Sequence, residues 1–95
     1  MRYRGVMSIE GVTAELEKAM NGGYLATIHM HDGSMTEYAA VVEFPKSDGH
    51  ARVWVQPYRV LSGSRLVTKG RRSQLTINQI SYLTTHTDKP VPAPG

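Results

Sequence analysis

The sequence predicts a mainly β domain of the α+β kind: one N-terminal helix, then five short, strongly bent strands that curl into a small β-barrel. Three observations carry this. An apolar stripe at helical spacing runs from Ile9 to Met20 and stops at Gly22-Gly23. The chain beyond it alternates apolar and polar residues in short runs, punctuated by Asp32-Gly33, by residues 45–49 and by Asn78-Gln79. The length, 95 residues, allows one small core, because a domain of this size buries only about two-thirds of the surface its unfolded chain exposes. Closing such a sheet removes its exposed edges, and the helix covers one end.

The helix begins at Ser8, whose hydroxyl is suited to accept from an orphan N–H of the first turn. Ile9, Val12, Leu16 and Met20 share a face with Ala19 beside them, Glu10 sits near the positive end and Lys18 near the negative one. A helix of about three turns is too short to stand alone, so its stripe requires a sheet to cover. Residues 24–31 read as a strand with Tyr24, Ala26, Ile28 and Met30 on one face and Leu25, Thr27, His29 and His31 on the other. Asp32-Gly33 predicts a type I′ hairpin turn. Residues 34–44 form the return strand, with a bend expected at Ala39-Ala40. Residues 50–56 alternate Ala51, Val53 and Val55 against Arg52, Trp54 and Gln56, and Pro57 ends that strand or places it at an edge. Residues 58–70 suggest a small hairpin around Ser62-Gly63-Ser64 or a bent extension. Residues 71–77 and 80–85 are the last two strands, the latter with Ile80 and Tyr82 opposed to Leu83. The expected division is a flexible N-terminus at 1–7, one helix-plus-barrel domain at 8–87, and a Pro-rich disordered tail at 88–95.

Two stretches carry a resemblance. Residues 25–44, LATIHMHDGSMTEYAAVVEF, resemble the first Sm motif, a hydrophobic strand running through an Asp-Gly turn into a long bent strand. Residues 74–86, QLTINQISYLTTH, resemble that group's closing strand, tight turn and strand. Within SH3-like and Sm-like barrels, the order and lengths over residues 12–86 are similar to the small bacterial inhibitors of the Rho transcription-termination factor. Those also carry an N-terminal helix, a His-Asp-Gly type hairpin (here His31-Asp32-Gly33) and a Leu-x-Ile-Asn-x-Ile type close (here residues 75–80). The resemblance implies an SH3-like/Sm-like barrel, assembly into homo-oligomers through the edges of the last strands, and a regulator that docks on a nucleic-acid-processing protein. Residues 45–49 and Asn78-Gln79 stand where RNA-holding Sm proteins use other loops, so their RNA pocket is not implied intact.

Composition excludes several function classes. Hydrophobic residues at 40% and charged residues at 20% argue against a disordered chain. The absence of cysteine excludes a disulfide scaffold, a zinc ribbon and a thiol nucleophile. No apolar run reaches the roughly 18 residues of a membrane span, and the start has no signal-peptide core, so a soluble cytoplasmic protein is expected. No phosphate loop, nucleophile elbow or paired-carboxylate constellation is present, so neither an enzyme nor a cofactor is expected. His29 and His31 at alternate strand positions admit a metal, with Glu37 or His50 completing a site, but a bare pair beside a turn more commonly lies on the surface.

Charge divides by position. Residues 1–48 carry four basic and seven acidic side chains, whereas residues 49–95 carry seven basic ones against Asp88 alone. Arg52, Trp54 and Gln56 share a strand face with Tyr58 and Arg59 beyond them, the composition of a stacking platform with phosphate contacts. Lys69, Arg71 and Arg72 extend the track if the following hairpin folds back alongside. The alternative is Trp54 in the core with its cations scattered over the surface. Turning Trp54 inward would take Arg52 and Gln56 with it, a costly burial without partners, which favours an outward Trp54. The expected protein is a non-catalytic module binding RNA or single-stranded DNA through Arg52, Trp54, Arg59, Arg65, Lys69, Arg71 and Arg72, with a protein partner as the alternative and no membrane contact.

Overall fold

The computed structural model describes residues 6–46, 49 and 51–92. It contains helix α1 (Ile9–Gly22) and strands β1 (Tyr24–Met30), β2 (Met35–Glu43), β3 (Arg52–Val60), β4 (Leu66–Thr68), β5 (Ser73–Thr76) and β6 (Ile80–Pro90). The helix starts where Ser8 caps it, its side chain accepting from the Gly11 N–H at 3.0 Å. It ends at Gly23, whose φ of 73° lets its N–H turn back to the Ala19 carbonyl. Val12, Leu16 and Ala19 are fully buried against the sheet, while Ile9, expected on the same stripe, is 56% exposed because it occupies the first turn, outside the core contact.

The strands form one antiparallel sheet in the order β4-β3-β2-β1-β6, with β5 also on β3. Among the described residues there are six strands rather than five, and the sheet is not closed into the expected barrel, because β6 pairs with β1 and with neither β4 nor β5. The sixth strand arises at residues 58–76, which form a hairpin. β4 pairs with residues 58–60 and β5 with residues 52–55, so both run along the same strand. Residues 69–72 bulge between them opposite Gln56 and Pro57, and the interruption turns one return strand into two.

Pro57 does not end β3. It pairs with Ala39 in mid-strand, and its carbonyl accepts from the Lys69 N–H at 2.9 Å. In an antiparallel ladder a residue's N–H and C=O point to the same neighbour, so the missing donor faces the bulge and costs the β2 ladder nothing.

The β1–β2 hairpin also differs from expectation. Met30 and Ser34 bracket a loop of His31, Asp32 and Gly33, and only Gly33 has a positive φ, at 93°. This is the geometry of a turn followed by a left-handed glycine rather than a type I′ turn. The Asp32 carboxylate explains it, accepting from the Ser34 N–H at 2.9 Å and from its hydroxyl at 2.6 Å. Those two bonds hold the Asp32 pKa below its ordinary value.

Alternation sorts the sheet into two faces. Ala26, Ile28, Ala39, Val41, Val53, Val55 and Leu83 pack with α1, together with Ile77 and Ile80. Ile80 and Leu83 both reach this core because the register shifts between His29 and Met30, which turns Tyr82 outward against His29. The opposite face has its own apolar centre: Leu25 and Ala40 pair across β1 and β2 and are 0% and 6% exposed, outside the helix-side cluster.

At the ends, Met7 donates to the Ser81 carbonyl, and β6 runs through Asp88 to Pro90, five residues beyond the expected end at Thr85. Val91 then donates to the Gly23 carbonyl at 2.7 Å, so this part of the tail lies on the sheet rather than extending free. Residues 1–5 and 93–95, parts of the expected mobile ends, lie outside the described residues, as does His50. Among the described residues no helix is long and apolar enough to cross a membrane.

Leu16 is the largest side chain that α1 inserts fully into the core, so Leu16→Ala should lower unfolding free energy by about 2–5 kcal/mol in urea denaturation. Ile9→Ala should change it by far less.

Candidate nucleic-acid interface

β3 determines the outward face. Val53 and Val55 are fully buried in the core cluster shared with α1, and alternation therefore turns Arg52, Trp54, Gln56 and Tyr58 the other way. Trp54 is half-buried: its neighbouring strands contribute Glu43 on one side and Gln74 on the other. Arg52 is exposed and donates to the Gln74 side chain at 3.1 Å, which orders it beside the indole. Ala51, expected to share the inward face, is exposed at the strand's start, where its carbonyl accepts from Ile77.

The 69–72 bulge lies against this stripe. Gln56 donates to the Gly70 carbonyl at 3.2 Å and to the Pro57 carbonyl at 2.9 Å, fastening the bulge to β3. All three bulge cations, Lys69, Arg71 and Arg72, are exposed, but they are not one track. Arg72 lines a groove with Gln56 and Tyr58, whereas Lys69 lines a separate concavity with Glu37, Met35 and Pro57. Arg59 is exposed and follows the alternate phase of β3, opposite Val67, and Arg65 lies exposed after the 3-10 turn Ser62–Ser64 at the hairpin tip. The structure thus joins Arg52, Trp54 and Arg72 along one face, and sets Arg59, Arg65 and Lys69 apart from it.

The same face continues across β1 and β6 with residues that sequence reasoning did not single out as binding groups. His29 stacks on Tyr82 with ring centroids 4.2 Å apart and planes 11° from parallel. Tyr38 packs against His86 at 5.0 Å, with the Lys89 ammonium 5.8 Å from the Tyr38 ring centre. Tyr38 has a φ of 49°, a left-handed conformation forced by the register shift between β1 and β2. Thr27 supports it, its hydroxyl accepting from the Tyr38 N–H at 3.4 Å and lying 2.7 Å from His86 Nε2. Alternation in β1 already put Thr27 and His29 together; the bulges that deliver Tyr38 and Tyr82 left no sequence signal. Lys89 also pairs with Asp88 at 3.3 Å, which holds the Asp88 pKa low.

His29 is committed to its stack, His31 is exposed on the hairpin loop, and among the described residues no group of three histidine or carboxylate side chains is placed to hold a metal ion. Comparison with protein-family models, with curated proteins and with solved structures found no match to this chain.

The chain has a single tryptophan, so its fluorescence reports this site alone. Acrylamide should quench Trp54 in the folded protein, with a constant below that of the urea-unfolded chain but clearly above zero; an unquenched indole would mean that it is sealed.

Proposed function

We propose that this protein is a non-catalytic module that binds RNA or single-stranded DNA through the β3 face, with Trp54 stacking on a base and Arg52 and Arg72 contacting phosphates. One observation carries the reading: Trp54 stands half-exposed between Arg52 and Gln56 on the face that the burial of Val53 and Val55 turns outward. A flat π-surface beside guanidinium groups suits single strands, whose bases are free to unstack, and is indifferent to sequence. Arg59, Arg65, Lys69 and Arg71 then act at longer range, by raising the positive potential near the site rather than by touching the same strand. Glu43, across from Trp54, opposes this field locally. The fold we read as an SH3-like/Sm-like sheet left open at one seam, in keeping with the 3-10 turn Ile77–Gln79 that separates its last two strands. A cytoplasmic setting accords with such a role.

Titrating labelled single-stranded RNA, single-stranded DNA and duplex at two salt concentrations tests the proposal. Binding should quench Trp54 and weaken steeply with salt. Trp54→Ala should cost about 1–3 kcal/mol with every sequence, and Glu43→Gln should tighten binding. A salt-independent affinity, or none for any oligonucleotide, would refute it. That result would favour a second reading, a regulator docking on a protein partner, for which a half-exposed tryptophan is a suitable anchor.

The outer edge of β6 has no strand partner among the described residues, and a β6 edge of this length invites pairing with a second copy. A homo-oligomer is therefore proposed; a monomeric mass by light scattering at micromolar concentration would rule it out.

A further inference from the structure

Tyr58 lies two positions beyond Gln56 on the outward face of β3, at the wall of a groove of about 690 Å³. Much of its lining is apolar, including Ala40, Val42, Leu66 and Pro92, while Gln56, Thr68 and Arg72 supply polar groups. This is the size and character of a small-ligand site, apolar with a few polar groups along it. No carboxylate occurs among the described lining residues, and the one charge is the Arg72 guanidinium. The occupant that matches is flat and apolar with an anionic substituent.

Trp54 and Tyr58 are on the same face, four residues apart, so up to about 13 Å separates them along the strand. Stacked bases in a duplex strand follow one another at about 3.4 Å. That span is about four base steps, and a base can lie on either ring only if one of its faces is free of its neighbour, which a single strand permits and a duplex does not. Gln56, between the two rings, has both described donations of its amide directed to backbone carbonyls, so its position is fixed.

We propose that this groove is a second base subsite. It takes one unstacked nucleobase, in contact with Tyr58 and Leu66 and with its phosphate at Arg72, while another base of the same strand rests on Trp54. The inference rests on the β3 face being a single-strand binding site, and it adds a discrete slot and a requirement for an unstacked chain.

The test uses the full chain with fluorescein-labelled oligo(U) and oligo(dT) dodecamers and a matched duplex. Thr68→Phe fills the groove from an exposed edge position, and Arg72→Glu reverses its charge. Each should weaken binding of whichever single strand the native protein holds by about tenfold, the scale of one lost stack or charge contact. The quenching of Trp54 at saturation should persist. Unchanged affinity in Thr68→Phe, with quenching and salt dependence intact, would overturn the groove subsite and leave the Trp54 reading standing, whatever Arg72→Glu does, because Arg72 also serves the Trp54 site. Equal affinity of the native protein for duplex and single strand would also overturn it. Failure of the native protein to bind any oligonucleotide would end both. If Thr68→Phe does not fold, Tyr58→Leu replaces it, with the same loss expected and an unchanged affinity counting against the groove.

Discussion

Burial of Val53 and Val55 in the core that α1 completes is the constraint on which the rest depends. Strand side chains alternate with a period of two, so sealing those valines leaves Arg52, Trp54, Gln56 and Tyr58 no direction but outward. A slip of one residue in β3 would bury the indole with a guanidinium and an amide and expose two valines, which register against β2 strongly disfavours. The helix contributes by completing the shared core, in which its Val12, Leu16 and Ala19 cluster with the two valines.

Departures from strict alternation shape the remainder of that face. The register shifts at Thr27, at Val42 and at Ser81, and the wider bulge at 69–72, each displace a strand by a residue or two. Without them Tyr82 would share a face with Ile80 in the core, Tyr38 would lack its left-handed turn toward His86, and the bulge cations would lie within a ladder. Pro57 belongs to the same set, tolerated in mid-strand because its absent donor meets the bulge rather than β2.

Electrostatics follow from this geometry rather than from the charge total. Seven basic residues crowd the second half of the chain, yet the fold spreads six of them along β3 and its hairpin and puts Lys89 on β6 beside Tyr38. In the proposed role, those placed beside Trp54 and the groove make the short phosphate contacts, and the others contribute through the long-range field, which falls off within about 10 Å at ordinary salt.

Much of the fold was legible in the chain itself. Ser8 and Gly23 bound the helix, the Val53/Val55 alternation set the outward face of β3, and a hairpin at Asp32-Gly33 followed from turn chemistry, because caps, periods and turn residues act over a few neighbours, whereas residues 58–70 left a hairpin and a bent extension both open. Strand count, the open seam, the length of β6 and the separation of Lys69 from Arg72 were not, since each depends on which distant strand a segment meets and in what register. Local preference determined the elements and the direction of the indole; only tertiary pairing decided where the bulges fell, and with them which aromatic and basic groups came to share a surface.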